Sequence, residues 1–525
     1  MEYKNGTSIL DKGVYIIRNE EFKTMNEDDS LLARAVRRQN IIMKGQETPE
    51  ITLNYNPEKN PIKDGIVKKT KDICRAKTPT ILHYFTLLVL GLGTWGLLWC
   101  AFGEDWNWNG RWTRLAFVGG LAWAAGEAFQ MCTSLPPLLA ALVIGILARN
   151  FEFLDMREYT EIDAFLRRIY PVIILGKGSL AFDFKYIKKH WRLVSSLGVL
   201  PWTAEVLTLA VCMHVFLDFP WMWGLLLGST YASVSFAVVM PAVQNSSGSS
   251  GNLSQNWNQL ILTAGGTDTA LSVGVFGVIH SFIMHEGDDT YRYIKAALAL
   301  LVGVVVGVSW GTLAKFIPHS KDFYVAEMRL LFVLIGGLFT FFLSAKFGWG
   351  GTGGVAVLAC NSTAANCWEK DGWKLNKNPA STAYRVMWST LEPLVFAYSG
   401  TFFVIKAPLW NVMLIGLGIL CICVVVRLTI AFFVCSKMTI RERFFVCCTW
   451  IPKSIVEAVL CPVAYNALVA RGNYDENEMQ YAEHFIWIII QAILVTTPIG
   501  FLLTKHLGPF LLTEKQKKYD IDPET

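Results

Sequence analysis

Residues 448–462 read CTWIPKSIVEAVLCP, an apolar run that contains Pro452 and Pro462 and that carries Lys453 and Glu457. Proline lacks a backbone N–H, so it kinks or ends a helix. A charged side chain near the middle of a bilayer costs about 3 kcal/mol or more, so one that occurs there needs a partner or a function. The stretch therefore predicts a transmembrane helix that is interrupted, with a polar site at the interruption.

A second interrupted helix is indicated by residues 228–243, GSTYASVSFAVVMPAV, which place Ser233, Ser235 and Pro241 in an otherwise apolar segment. Broken helices in corresponding positions of two halves of a membrane protein point to a transporter binding site. Their unwound carbonyl groups can coordinate a cation, and the ends of the half-helices supply fixed dipoles. The alternative interpretation is a simple proline kink in each helix.

The composition of the chain excludes an ordinary cytosolic enzyme, a disordered scaffold and a secreted disulfide module. Its 525 residues are 53% hydrophobic and only 17% charged, with a mean hydropathy of +0.37, whereas soluble domains carry about 25% charged residues. The 12 cysteines show no metal-ligand spacing and are interpreted as buried thiols. We expect an all-α polytopic membrane protein with no metal, no cofactor and no nucleic-acid partner.

Fourteen stretches approach the ~20 mainly apolar residues that a membrane helix needs. They lie at residues 80–102, 113–133, 135–149, 166–183, 193–217, 221–243, 258–284, 293–316, 328–345, 350–366, 386–404, 409–435, 444–470 and 483–506. The two interrupted helices are spans six and thirteen, each the penultimate member of a set of six. Spans two to seven and nine to fourteen are therefore predicted to be two six-helix repeats, inverted because one span separates them.

The predicted organisation has six parts: a mostly disordered cytoplasmic tail (1–79), an extra first helix and loop (80–112), the first repeat (113–284), a linker helix (285–327), the second repeat (328–506) and a cytoplasmic C-terminal tail (507–525). Lysine and arginine gather in alternate loops, for example at residues 185–192 and 437–443, so both termini are predicted to be cytoplasmic. The plasma membrane is the expected location, with a mitochondrial or endosomal membrane as alternatives.

Seven ionisable residues are predicted to lie deep in the membrane: Glu127, Lys177, Glu205, Asp268, Arg427, Lys453 and Glu457. Any one of them is explained by a structural ion pair between two helices. Together they offer buried carboxylates beside buried cations, whose proton equilibria are shifted and coupled. A proton-coupled ion carrier requires such a site.

Several segments resemble the animal NHA-type sodium/proton antiporters, the sodium/hydrogen exchanger 9B-like subgroup of the cation/proton antiporter superfamily. The segments are LPPLLAALVIGILARN, AVVMPAV, LTAGGTDTALSV, CVVVRLTI, TWIPKSIVEA and TTPIGFLLTKHLGP, and the resemblance covers roughly residues 80–512. It implies the inverted-repeat fold, alternating access of an elevator kind, and a homodimer with the extra first helix at its interface.

In that family, two adjacent aspartates in span seven hold the cation or the protons. An ungapped match places this pair at Asp268 and Thr269, so the second carboxylate, usually the principal cation ligand, is replaced by a threonine. A slip by one residue would instead match Thr267 and Asp268, which resembles the single-aspartate electroneutral branch. Phe236 stands where the broken helix usually has proline, and Glu457 where a neutral amide is expected.

The resemblance also implies roles for residues on other spans. Arg427 would lie opposite Asp268, with Glu205 as a neighbouring acid and Lys453 beside the second broken helix. Trp450 would lie at the mouth of the cavity. Arg149 would be a charge between domains, although the usual position of its acidic partner is occupied by Phe402.

Three transport hypotheses follow. In the first, Asp268 alternately binds a proton and a small monovalent cation, Na⁺ or Li⁺, with oxygen ligands from Thr267, Thr269 and carbonyl groups near Ser233 and Ser235. In the second, the lost carboxylate leaves a neutral or positive site for a proton-coupled anion such as chloride. This second hypothesis requires Glu457 to pair with Lys453 at i,i+4 spacing. Alternatively, Glu457 replaces the lost carboxylate, and cation transport is preserved.

The third hypothesis is a degenerate or regulatory member of the antiporter family. An enzyme is not expected. The glycine-rich stretch GWGGTGG at residues 348–354 lacks the Lys-Ser/Thr of a phosphate-binding loop, and close helix packing explains it better.

Overall fold

The computed structural model describes residues 61–247, 257–284, 289–373, 378–406 and 409–512, and within these ranges its regular structure is entirely helical. The α-helices are α1 (Pro61–Phe102), α2 (Arg111–Thr133), α3 (Leu138–Asn150), α4 (Thr160–Ser179), α5 (Phe184–Leu217), α6 (Trp221–Tyr231), α7 (Phe236–Ser247), α8 (Trp257–Ile283), α9 (Asp289–Leu313), α10 (Val325–Lys346), α11 (Thr352–Glu369), α12 (Pro379–Gly400), α13 (Leu409–Val434), α14 (Ile440–Thr449), α15 (Ile455–Leu460), α16 (Val463–Arg471) and α17 (Glu476–Leu512). Residues 93–525 belong to one compact unit, and the description below concerns that unit.

Nine helical segments in the described part of the chain are long and apolar enough to cross a membrane. The other predicted spans coincide with shorter or more polar helices, namely α3, α4, α11, α12 and the α14–α16 series. Each of the fourteen predicted stretches thus overlaps one helix or one broken set of helices. This confirms an all-α polytopic membrane protein.

The two predicted interruptions are present, but they form differently. Helix α6 ends at Tyr231 and α7 begins at Phe236, without a proline between them. Pro241, which was predicted to take part in the break, instead lies inside α7. The second break separates α14 from α15 and contains Pro452, and Pro462 separates α15 from α16.

Two helices at the ends of the chain extend beyond their predicted bounds. Helix α1 begins at Pro61, within the predicted tail 1–79, and α17 continues to Leu512, past the predicted start of the C-terminal tail. A helix satisfies its own backbone hydrogen bonds, so it can continue from the bilayer into water where the sequence turns polar. Residues 1–60 and 513–525, and the acidic loop 285–288, lie outside the described residues.

The helices that carry the buried charges pack directly against one another. Helix α5 packs on α13, the two spans predicted to be equivalent, while α8 packs on α5 and α7 packs on α17. Helices α3 and α12 approach so closely that a Cβ on Gly145 would meet the carbonyl oxygen of Ala397. Small residues permit this kind of close helix contact in membranes. The bundle therefore holds the broken helices against long, continuous ones.

Candidate functional site

Four fully buried charges form a cluster where the two broken helices meet. Asp268 on α8, Glu205 on α5, Arg427 on α13 and Lys453 in the second break are each 0% exposed. Arg427 Nη2 lies 2.6 Å from Asp268 Oδ2, and Arg427 Nη1 contacts Glu205. Lys453 Nζ lies 2.9 Å from Glu205 Oε1. The structure therefore brings together two acids and two cations that are far apart in the sequence.

The first broken helix is stabilised by these charges instead of by a proline. At the C-terminal end of α6, the carbonyl oxygen of Tyr231 accepts a hydrogen bond from Lys453 Nζ at 2.6 Å, and that of Ala232 accepts one from Arg427. The N–H of Val234 donates to Asp268 Oδ1 at 2.9 Å. Cations at a helix C-terminus satisfy carbonyl groups that have no partner within the helix. The freed backbone groups of the break are thus bonded to the charged cluster itself.

The two breaks are also bonded to each other. The N–H of Ser235 donates to the carbonyl oxygen of Pro452 at 2.8 Å, and the hydroxyls of Ser235 and Ser454 are 2.5 Å apart. Arg427 Nε donates to the carbonyl oxygen of Trp450 at 3.1 Å. Through these bonds the crossing of the broken helices forms one hydrogen-bonded unit.

Thr269 and Thr267 face different surroundings. Thr269 lines a small cavity of about 30 Å³ together with Val234 and Ser235, and this volume is enough for a water molecule. The hydroxyl of Thr267 donates within α8, to the carbonyl oxygen of Thr263 at 2.9 Å. Its side chain packs where a Cβ on Gly198 of α5 would lie. Of the two threonines beside Asp268, it is Thr269 that faces the space next to the broken helix.

Glu457 does not pair with Lys453, contrary to the i,i+4 expectation. Helix α15 begins only at Ile455, so Lys453 precedes the helix and the helical spacing does not apply. Glu457 Oε2 instead accepts the N–H of Ser454 at 2.9 Å and caps α15. Its other oxygen, Oε1, is buried without a hydrogen-bond partner among the described residues, as is the hydroxyl of Ser233.

The predicted gate residues have other surroundings. Trp450 is 1% exposed and belongs to a buried hydrophobic cluster with Trp257 and Phe445, so its ring does not lie at an opening. Arg149 pairs with Asp155, just beyond its own helix α3, and the position expected for its acidic partner carries Phe402.

Contacts from this region to α17 and to the segment just beyond α12 come from Asn150 and Arg157. Asn150 Nδ2 donates to the carbonyl oxygen of Phe403, and Arg157 donates to that of Phe402 and pairs with Glu483 at 3.3 Å. The two remaining deep charges, Glu127 and Lys177, are only half-buried. Glu127 lines a separate cavity of about 150 Å³ between α2, α3 and α12.

A second buried ion pair, between Arg167 and Asp163, is not among the predicted site residues. Arg167 Nε lies 2.7 Å from Asp163 Oδ2 on α4, and Arg167 Nη1 donates to the carbonyl oxygens of Ala458 at 2.8 Å and Val459 at 2.9 Å. Asn466 also donates to Asp163. The predicted span four began at residue 166 and so left Asp163 in a loop. The i,i+4 spacing of an acid and a base beside an apolar run is the signal that would have found this pair.

Two broken helices that cross beside a buried cluster of acids and cations, within an all-helical membrane bundle, define a secondary transporter. The model of the family described as "Sodium/hydrogen exchanger, transmembrane" matches residues 114–505, about three quarters of the sequence. The chain belongs to this family. Membership confirms the predicted class, a cation/proton antiporter, and does not favour the proton-coupled anion alternative.

Individual relatives agree with this assignment. The chain is 26% identical over 457 residues to sodium/hydrogen exchanger 9B2 of Homo sapiens. The matched region covers 85% of this chain and 83% of that protein. It is 25% identical over 507 residues to human sodium/hydrogen exchanger 9B1, with 94% and 96% covered. The structure of the sodium proton antiporter MjNhaP1 from Methanocaldococcus jannaschii has a similar fold, with a TM-score of 0.60, 18% identity, and 77% of this chain and 99% of that chain covered.

Proposed function

We propose that Asp268 is the shared binding site at which this chain exchanges a proton for Na⁺ or Li⁺. The observation that carries the proposal is the pairing of Asp268 with both Arg427 and the N–H of Val234 at the break. A buried carboxylate can be neutralised by a cationic side chain, a proton or a bound cation. Arg427 therefore competes with the transported ions for one carboxylate.

Glu205 supports this competition because its negative charge balances positive charge in the cluster when Asp268 is occupied. It contacts both Arg427 and Lys453. When Asp268 takes up a proton or a cation and releases Arg427, the guanidinium still has Glu205 and the carbonyl oxygens of Ala232 and Trp450 as partners. An unpaired buried charge would be strongly unfavourable. The cluster thus allows Asp268 to change partners without leaving Arg427 alone.

The ligands of the cation are proposed from the small cavity at the first break, which is lined by Val234, the residue whose N–H binds Asp268. Thr269 and Ser235 line it, and the buried hydroxyl of Ser233 has no hydrogen-bond partner among the described residues. Hydroxyl and carboxylate oxygens suit a small hard cation. We assign Thr267 a packing role against α5 and not a ligand role.

With Asp268 as the one carboxylate that binds the transported ions, the proposal predicts exchange without net charge movement. Asp268 loaded with H⁺ and Asp268 loaded with Na⁺ carry the same net charge. One proton is then exchanged for one cation, and the rate is independent of membrane potential. Thr269 in place of a second carboxylate is what limits the site to this stoichiometry.

The test is proton flux in vesicles reconstituted with the full chain, compared under Na⁺, Li⁺, K⁺ and chloride gradients. We expect flux with Na⁺ and Li⁺ only, unchanged when a K⁺ gradient with valinomycin sets the membrane potential. Asp268→Asn should abolish the flux, while Glu369→Gln, which removes an acid paired with the exposed Lys185, should not. Unchanged flux in a folded Asp268→Asn protein would remove Asp268 from the mechanism. Flux driven by chloride would favour anion coupling.

We further propose that the chain forms a homodimer in the plasma membrane with both termini in the cytosol. The basic loops support the orientation, and the resemblance to NHA-type antiporters supports the dimer. Protease-accessible tags at both termini in intact cells test the orientation. Light scattering of the purified protein tests the dimer.

A further inference from the structure

A second cavity lies at the other end of α4 from the small cavity that Thr269 lines. The small cavity is lined by Gly178 and Phe182, at and beyond the C-terminal end of α4. The second cavity has a volume of about 560 Å³ and is lined by Arg167 and Arg168, near the N-terminal end of the same helix. Its volume is within the range of small-molecule sites, about 300–1,000 Å³.

The lining of this large cavity is basic. It includes Arg167, Arg168, Lys295 and Lys346, and no carboxylate is among the described residues that line it. The nearby acid Asp163 is occupied, since it is paired with Arg167 and bonded to Asn466. Such a lining repels a transported cation and attracts an anion.

Lys295 is the most informative of these cations. It is on α9, only 6% exposed, and its Nζ lies 5.9 Å from the centre of the Tyr291 ring. Within the described ranges it has no ion pair and no hydrogen bond. A buried ammonium group without a counter-ion is costly, so its position in the cavity wall indicates that an anionic group belongs beside it.

The remaining walls are mainly apolar, with Phe276, Phe341, Phe347 and Met284 among them. We propose that this cavity binds an organic anion in which a phosphate group is attached to an apolar body, either a soluble alkyl phosphate or the headgroup region of an anionic lipid. Lys295, with Arg168 and Lys346, binds the phosphate, and the phenylalanine side chains contact the apolar part.

Such a ligand would act on transport from outside the ion site. The cavity is lined on one side by α4, α9, α10 and α11. On the other side it is lined by α8, which carries Asp268, and by α15 and α16, which belong to the second broken helix. A ligand that contacts both groups stabilises the arrangement in which it binds. If exchange requires these helices to separate, the bound ligand slows it. Only this second effect depends on the proposed function.

The binding test uses the purified full chain with hexyl phosphate as the soluble probe, and nanodiscs of phosphatidylcholine with or without phosphatidic acid as the lipid probe. We expect hexyl phosphate or phosphatidic acid to raise the unfolding temperature by several degrees, and hexanol to have no such effect. Stabilisation by hexyl phosphate would show that the cavity binds a soluble alkyl phosphate. Stabilisation by phosphatidic acid alone would show that it binds the lipid.

Lys295→Gln should weaken the apparent affinity at least tenfold, while Lys295→Arg and the matched control Lys315→Gln, just beyond the other end of α9, should keep it. Equal affinity in wild type and Lys295→Gln would overturn the site. If Lys295→Gln does not fold, equal stabilisation by hexyl phosphate and by hexyltrimethylammonium would overturn it. A saturating probe should also slow sodium-driven proton flux at least fivefold. Binding without any change in flux would overturn the effect on exchange but not the site.

Discussion

Arg427 joins three helices through one guanidinium group: from α13, its Nη2 lies 2.6 Å from Asp268 Oδ2 on α8, while its Nη1 contacts Glu205 on α5. The two acids are thus held by one cation, and Lys453 provides a second cation for Glu205. The charges of these four groups sum to zero. The balance within the cluster, more than any one pair, determines what a substitution will do.

The balance predicts a compensating double substitution. Glu205→Gln leaves two cations with one acid, and Lys453→Gln leaves two acids with one cation. Breaking a buried pair in this way costs about 3–5 kcal/mol. The double variant restores equal numbers of acids and cations, so we expect it to be less destabilised than either single variant. Thermal unfolding of the four proteins in detergent measures the coupling. Additive losses would show that the two residues act independently.

A second carboxylate at position 269 should change the exchange. Thr269 lines the small cavity beside the break, so Thr269→Asp places a charge where a cation can reach it. We expect stronger Na⁺- or Li⁺-dependent proton flux, with a rate that now depends on membrane potential. Thr269→Val, which keeps the shape and removes the hydroxyl, is the control and should weaken cation dependence. Identical flux in wild type and both variants would exclude Thr269 from the ion site.

Arg167 should control the stability of α15. Its hydrogen bonds to the carbonyl oxygens of Ala458 and Val459 tie this six-residue helix to α4. Hydrogen bonds that involve a charged group contribute about 1.5–3 kcal/mol each. Arg167→Lys keeps the charge near Asp163 but loses the rigid guanidinium, in which Nε binds Asp163 while Nη1 binds both carbonyl oxygens.

Backbone amides of α15 should therefore exchange hydrogen about tenfold faster or more in Arg167→Lys, measured by mass spectrometry. Arg168→Lys, on the exposed face of the same helix, is the matched control. Equal exchange in both variants would mean that the hydrogen bonds of Arg167 do not stabilise α15.

The close contact of α3 and α12 should tolerate no side chain at position 145. An alanine there would bring its Cβ against the carbonyl oxygen of Ala397. Overpacking of this kind costs about 1–3 kcal/mol, and we expect a lower unfolding temperature for Gly145→Ala. Gly418→Ala on α13, where nothing lies within 4 Å of the added Cβ, should be neutral or stabilising by up to about 1 kcal/mol. Similar unfolding temperatures for the two variants would show that the helices can move apart freely.

The sequence predicted the membrane helices well because about 20 apolar residues are a strong local signal. It also predicted both breaks. It did not predict how the first break is held, because Tyr231 and Ala232 act through carbonyl groups that every residue possesses. The distances that join Glu205 to Lys453 and Asp268 to Arg427 depend on packing between distant helices, which no local pattern encodes.

Other differences have similar physical causes. The predicted pair of Lys453 and Glu457 assumed a continuous helix, and the chain is not helical at Lys453. Arg149 was assigned by position alone, and without an acid at Phe402 it pairs with Asp155 nearby. The pair of Asp163 and Arg167 is not predicted from the sequence, because the apolar run begins at residue 166. The first turns of α4, which contain Asp163, are polar.

The main-chain bond between the N–H of Ser235 and the carbonyl oxygen of Pro452, 2.8 Å long, has a consequence for how the protein is studied. Alanine scanning will pass over this link, because truncating either side chain leaves the peptide groups in place. The bond can be tested by replacing the peptide linkage between Val234 and Ser235 with an ester. This removes the N–H of Ser235 and leaves both side chains in place. Two crossing segments joined in this manner can appear tolerant in an alanine scan, although a peptide hydrogen connects them.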